Sequence, residues 1–589
     1  MKQIRYYQII TAFCCLLLIS CGIDKNLKKG EKFLSLGEYY DAADQFKQAY
    51  TKTPPKEREN RGKLALKMAR CYNKINATPK AVNAYRNAIR YNQASLDDRL
   101  AYARLLLKNG EYKQAEKEFR ILVDSMPDNI LAQNGIKSAQ MAPGWKKAGS
   151  RYQVKKMDVF TSRRADYSPM LLGDEYEQIY FTSTRNDAQG DELSGITGTK
   201  AGDIFYSEKD DKGKWSRPEA IATGLNTDYD EGACCFTPDG KEMYLTQCVT
   251  DPASPRFAQI VTSSRSDAAW GKVQKLEITQ DTLSTYAHPA ISPDGEWLYF
   301  VSDMSGGMGG YDIWRVRITP SGLGGVENLG TPINTPGDEM FPTFRPNGDL
   351  YFSSNGHIGM GGLDIYIARI DEKTQQYKIE HPGYPLNSEA DDFGMTFEGP
   401  HNRGFFSSNR KDGRGYDHIY SFQNPEIVTT MKGWVYEKDG YELPAAQVMV
   451  VGNDGTYRKL PVKSDGSFTL PIHPEVDYLV MASCKGFLNH KEELRIDSAK
   501  ESKEYVLQFP LASISAPVLI DNIFYDFDKA TLTPASTQAL DKLVALLKEN
   551  SHVTIELSAH CDYKGNSEYN KRLSQRRAQT VVDYLIAHG

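Results

Sequence analysis

Near its C-terminus the chain reads Ile555-Glu-Leu-Ser-Ala-His560-Cys-Asp562-Tyr-Lys-Gly565-Asn-Ser-Glu-Tyr569-Asn570-Lys-Arg-Leu573-Ser574-Gln-Arg-Arg577-Ala578. The spacing predicts a short strand over Val553 to Leu557, a turn at Gly565-Asn566-Ser567 with a capping residue, and a helix to about Ala587. On a helical wheel Tyr569, Leu573, Ala578, Val581, Tyr584 and Leu585 share one arc, and Arg572, Gln575, Arg576 and Gln579 lie opposite. Asn570, Ser574 and Arg577 interrupt the apolar arc. A guanidinium placed there needs an anion, because burying it unpaired is costly. Asp562 is a candidate neighbour. Two readings follow: an internal Asp562–Arg577 salt bridge, or a pocket in which Arg577 grips a carboxylate and Asp562 an ammonium.

The pattern His560, Asp562, Gly565, Tyr569, Asn570, Leu573, Ser574, Arg577, Ala578 resembles the hallmark of OmpA-like peptidoglycan-binding domains. The upstream run Ile523-Phe-Tyr-Asp-Phe527-Asp528-Lys-Ala-Thr-Leu is similar to that family's opening strand. The resemblance implies that Asp562 and Arg577 hold the zwitterionic end of diaminopimelate in the cell-wall stem peptide. It implies supporting roles for Phe527, Asp528, Asn570 and Leu573. Cys561 stands where the family usually has Thr. The chain stops at Gly589, before the family's last helix and strand, so the domain (517–589) is expected to be C-terminally incomplete.

A length of 589 residues predicts several domains, and a net charge of −5 with interspersed signs gives no footprint for nucleic acid. At the other end, Lys2 and Arg5 precede an apolar run from Ile9 to Ile19, the length of a signal peptide and too short for a membrane span. That run closes Leu18-Ile-Ser-Cys21-Gly22, which resembles the bacterial lipobox. The resemblance implies removal of residues 1–20, lipidation at Cys21 and delivery to the outer membrane, with the chain on the periplasmic side. Cys71, Cys234, Cys235, Cys248, Cys484 and Cys561 are scattered without CxxC spacing, which argues against a metal site and a disulfide framework. No cofactor is expected.

Between these ends the chain changes character three times. Over 21–142, Gly37-x-Tyr39-x-x-Ala42-x-x-x-Phe46-x-x-Ala49 returns around Ala81, Tyr85 and Ala88, and again from Gly110 through Tyr112 and Ala115 to Phe119. That period resembles tetratricopeptide repeats and implies a short α-solenoid with a partner-binding concave face. Met141-Ala-Pro-Gly144 reads as a linker. Over 150–425, five units centred on Tyr180, Tyr244, Tyr299, Tyr351 and Phe406 repeat a turn, an aromatic strand and a Gly-rich loop. They resemble WD40-like β-propeller repeats and imply a ring of about five blades, with Tyr152 to Ser162 supplying the last blade's missing strand. The recurring Asp312, Asp364 and Asp417 either ligate calcium or tie their turns to backbone N–H groups. Over 428–511, alternating apolar residues and Asp-Gly turns predict a small antiparallel β-sandwich, similar to carboxypeptidase-regulatory-like domains.

The expected fold class is therefore multidomain, α and β: solenoid, propeller, sandwich and an α+β OmpA-like domain. This order resembles lipoproteins of the type IX secretion machinery, which implies an anchored scaffold whose repeats and propeller dock other envelope proteins. An alternative is a sensor or carrier whose propeller binds a periplasmic solute or protein, with wall binding incidental. A thiol enzyme built on His560-Cys561-Asp562 is disfavoured, since contiguous residues of a strand face alternate sides. No HExxH, Gly-x-Ser-x-Gly or Walker A sequence occurs.

Overall fold

In the computed structural model the described residues are 23–589, apart from 174, 191–192, 222–223, 250–256, 267–268, 372, 497–501, 516–522, 563 and 565. The expected lipidation residue, Cys21, lies outside them. The chain divides into two compact units, one ending at Pro425 and one spanning Glu426–Gly589.

The first unit opens with helices α1 (23–35), α2 (Tyr39–Lys52), α3 (Arg58–Lys74), α4 (Thr78–Arg90), α5 (Leu96–Lys108), α6 (Tyr112–Ser125) and α7 (Ile130–Ala148). The repeated Ala and aromatic positions form their core: Ala42, Phe46, Ala49, Ala81, Tyr85, Ala88, Ala115 and Phe119 are all buried. Rings this large fit because the facing helix is stripped of side chain. A Cβ at Gly135 would stand 2.4 Å from the Phe119 ring, and one at Gly30 2.7 Å from Phe46. Gly37 and Gly110 turn the chain between helices with φ of 73° and 74°, and Asn76 takes the same left-handed conformation between α3 and α4.

The expected linker Met141–Gly144 is instead part of α7, which runs through Pro143. Proline removes one backbone bond there, but tertiary contacts hold the last turn. Trp145 stacks on His381 with ring centroids 4.4 Å apart, and Lys146 pairs with Glu389 at 3.0 Å. The turn edge of the helices is likewise seated on the sheets that follow. Tyr40 N donates to Gly195 O (3.0 Å), Asn134 Nδ2 to Gly356 O (2.9 Å) and Gly359 N to Ser138 Oγ (3.0 Å). Asn76 and Lys108 both bind the buried Asp391 carboxylate.

Five sheets follow; four are framed by a four-strand meander and the fifth by a three-strand meander. Their first strands are Asp166–Leu172, Asp230–Phe236, Tyr286–Ile291, Glu339–Phe344 and Asp392–Phe397. These pack side by side in cyclic order, the last against the first. Tyr180, Tyr244, Tyr299, Tyr351 and Phe406 lie buried on the second strands. Each first strand bulges at a left-handed residue: Ser168, Ala233, His288, Phe341 or Gly394. The five bulges converge on one small cavity. There His288 stacks on Phe341 at 3.7 Å, and Phe341 meets Phe393 at 4.5 Å. Burial pushes the His288 imidazole down to about 3. Gln153–Lys156 pairs antiparallel with His418–Gln423 and completes the fifth sheet.

A buried amide joins neighbouring sheets. Asn226, Asn334 and Asn387 each accept from the N–H and donate to the C=O of one residue, Ile204, Ile313 and Ile365, at 2.8–3.1 Å. The next residue in each case donates its N–H to a buried carboxylate four positions on: Thr227 to Glu231, Thr335 to Glu339 and Ser388 to Asp392. Asp312 and Asp364 receive backbone N–H groups of their Gly-rich loops, from Met308 and from Met360 and Gly361. Asp417 is not their equivalent, since His418 takes the register position opposite Ser408.

In the second unit a three-stranded sheet (Ser467–Ile472, Thr429–Glu437, Lys503–Leu511) and a four-stranded sheet (Tyr457–Pro461, Gln447–Gly452, Asp477–Ser483, His490–Arg495) enclose a common core with Val448, Val480, Phe468 and Phe509. The sandwich is not wholly antiparallel. Thr429–Glu437 runs parallel to Lys503–Leu511, a pairing open to segments joined by a long connection rather than a hairpin. Helices α8 (Pro534–Glu549) and α9 (Ser567–Ala587) complete this unit. Asn489 of the sandwich binds Asn550 Oδ1 at 2.6 Å and Glu549 O at 3.0 Å, just beyond α8 and at its end.

Candidate functional site

Helix α9 starts where its side chains dictate. Asn566 Oδ1 accepts from Glu568 N (2.9 Å) and Tyr569 N (3.2 Å), satisfying two N–H groups that the first turn leaves open. Leu573 and Val581 are buried, whereas Arg572, Gln575, Arg576 and Gln579 are exposed. The expected strand over Val553 to Leu557 is absent; those residues are irregular and Ile555 is 40% exposed. A strand needs a ladder partner. Among the described residues the opening run makes a single bridge, Tyr525 to Leu532, and none to Val553–Leu557.

Arg577 sits on the α9 face that meets the turn at 526–529. Its Nε donates to Lys529 O (3.0 Å), its Nη1 approaches Cys561 Sγ (3.8 Å), and its guanidinium lies 4.9 Å from the centre of the Tyr525 ring. Tyr525 returns a bond from its hydroxyl to Arg577 O (3.1 Å). The arginine is thus fixed by a carbonyl, a ring and a thiol. Among the described residues no carboxylate stands within salt-bridge distance of it. The internal Asp562–Arg577 salt bridge is therefore not formed.

Asp562 is exposed in the neighbouring loop, where one carboxylate oxygen accepts from Lys564 N at 3.3 Å. Asn570 fastens that loop to α9 by donating to Asp562 O (3.1 Å) and Lys564 O (2.8 Å). Asp528, in the left-handed conformation with φ of 57°, accepts from the Tyr569 hydroxyl at 2.6 Å. That carboxylate raises the Tyr569 phenol's pKa above its ordinary value. Phe527 beside it is 98% exposed, and Leu573 packs beneath as part of the core. The expected site residues thus fall into three groups. Asp562, Arg577, Asn570 and Asp528 lie around one loop-and-helix surface, Phe527 projects into solvent, and Leu573 supports from within.

Tyr525 and the Lys529 carbonyl were not picked out from sequence, and Tyr569 was placed in the helix pattern without a role in the site. Tyr569, Leu573 and Arg577 follow at i, i+4 and i+8, one helical face, and that spacing was the available signal. The Lys529 carbonyl left none, because a backbone acceptor is invisible to residue type.

Residues 524–589 match the OmpA family. Over 76 residues the chain is 42% identical to outer membrane protein A of Klebsiella aerogenes, and over 73 residues it is 40% identical to that of Shimwellia blattae. These matches cover 12% of this chain and 21% and 30% of those proteins, so the chain spans less than a third of the curated relatives it matches. Its C-terminal domain is OmpA-like. The rest of the chain carries folds those matches do not reach. An endo-arabinase from Bacteroides thetaiotaomicron overlays 49% of this chain and 99% of its own, at TM-score 0.31 and 16% identity, too slight to define fold or chemistry. No helix among the described residues is long and apolar enough to cross a membrane.

Proposed function

We propose that this protein grips peptidoglycan through its OmpA-like domain, with Arg577 on the carboxylate and Asp562 on the ammonium of a diaminopimelate stem peptide. The observation carrying this reading is the state of Arg577: a guanidinium held in place by neutral groups, with no carboxylate among the described residues answering its charge. A fork already oriented loses little freedom on closing over a carboxylate. Asn570 and Asp528 position the two loops, and Phe527 offers an apolar edge to the peptide.

The wider reading is a PorE-like lipoprotein, held in the outer membrane by acylated Cys21 and binding the wall at its other end. In it the helical run is a tetratricopeptide solenoid, the ring of five sheets a WD40-like propeller and the sandwich a regulatory-like spacer, together scaffolding a type IX secretion complex without catalysis. Cyclic packing of the first strands and burial of the repeated Ala and aromatic residues support the two repeat assignments. The seating of the helices' turn edge on the ring leaves their other surfaces for partners. The non-catalytic reading is supported by the neutral His288 in the ring and by Cys234, whose thiol burial pushes up to about 12.

Retention on purified sacculi tests the wall-binding site. The double variant Asp562→Ala, Arg577→Ala should lose about tenfold or more in retention, the scale of one charge-assisted pairing. Undiminished retention would remove both residues from the site.

A further inference from the structure

The first unit holds a second concavity, where the fourth and fifth sheets meet the segment that enters the ring. It is a cleft of about 360 Å3 lined by Ser150, Tyr152, Tyr351, Phe397, Phe422 and Asn424, with arginines at its rim. Small-ligand sites fall in this size range. Phe397 forms the aromatic floor, edge-on to Tyr351 (4.7 Å) and to Phe422 (5.4 Å).

Its charges are unequally answered. Arg369 is neutralised by Asp349 (3.1 Å) and Glu380. Arg345 is anchored by neutral acceptors, Asn402 Oδ1 (2.8 Å), Pro400 O (2.6 Å) and His401 O (3.4 Å), and packs over Phe397 at 5.1 Å. Arg151 donates to Pro425 O at 3.0 Å. Among the described residues neither Arg151 nor Arg345 has a carboxylate at ion-pair distance. Asn424 Oδ1, also in the cleft, is buried without a donor.

A fixed guanidinium without a counter-ion calls for an anion, and flat Arg geometry favours a carboxylate. A buried acceptor without a donor calls for a hydroxyl or N–H. The rings beneath are buried and the open lining is mostly polar, which suits a small ligand rich in hydroxyls. We propose that this cleft binds a monosaccharide bearing a carboxylate, with Arg345 and Arg151 on the acid and Asn424 Oδ1 taking a ring hydroxyl. The site is independent of the OmpA-like domain.

Calorimetric titration of the full chain with glucuronate, glucose and glucose 6-phosphate tests it. Glucuronate should bind with a Kd of about 1 mM or tighter, and about tenfold tighter than glucose. Arg151→Glu, at an exposed position, should weaken glucuronate about tenfold with an unchanged melting temperature, and Asn424→Ala, which removes the Oδ1 acceptor, should weaken it as well. Asp562→Ala, Arg577→Ala should leave it unaffected, which separates this cleft from the wall-binding site. Absent binding, equal affinity for glucose and glucuronate, or indifference to Arg151→Glu would overturn the proposal. Tighter binding of glucose 6-phosphate than of glucuronate would overturn the assignment to carboxylates.

Discussion

Glu339 has no exposed surface and accepts three hydrogen bonds, yet burial outweighs them and pushes its carboxyl up to about 7. Glu231 in the second sheet is pushed up to about 7 for the same reason. Both ordinarily titrate at 4.5. Between those values the folded chain holds protons that the unfolded chain has released. Their stabilisation is therefore complete below about pH 4.5 and is lost as pH rises towards 7. Denaturant unfolding from pH 5 to 7.5 should show the first unit weakening over this window. Glu339→Gln should flatten its share of the slope, and an unaltered slope would assign the dependence elsewhere. Sequence legibility at this scale was uneven. Arg577 stood out because a charge interrupted an apolar arc. Tyr525 did not, and Tyr569 was assigned only to the apolar arc and the pattern, because an aromatic residue beside a core reads as core.

At the scale of elements, the residues that join the sheets are Asn226, Asn334 and Asn387. Each amide pairs with both backbone groups of an isoleucine next door, as one more residue of strand would. Removing one amide leaves a buried N–H and C=O unpaired, at about 1–3 kcal/mol each. Asn334→Ala should lower the thermal midpoint of the first unit by several degrees, whereas substituting the exposed Asn347 should not. The repeat Asn-Thr/Ser-x-x-x-Glu/Asp that carries this device is present in the sequence but was hidden by the louder aromatic repeat. Five sheets were legible because turn and aromatic residues recur; the coupling between them was not, since it depends on which backbone each amide meets. Two local readings failed for a related reason. Pro143 does not end α7 because Trp145 and Lys146 are held from outside, and Val553–Leu557 is no strand because alternation cannot supply a partner.

At the scale of the molecule, the fifth sheet is completed by residues more than 260 positions away from their partners, Gln153 to Lys156 against Tyr420 to Gln423. Consecutive N–H groups on a strand point to opposite sides, so prolines at two adjacent positions must break at least one ladder bond. In the full chain, Val154→Pro with Lys155→Pro should lower the first unit's calorimetric transition by about 5 °C or more and leave the second unit's unchanged. A shift shared by both units would overturn this expectation.

That pairing also sets how the ring answers a pull. The chain enters beside Gln153 and leaves beside Gln423, and these two residues are direct partners at one end of an antiparallel pair. Force applied directly across these two residues therefore loads the pair as a zipper, opened one rung at a time, instead of as a lap joint whose rungs must fail together. With its clasp and its load point in the same place, the ring yields to traction at its seam long before its aromatic interior feels any strain.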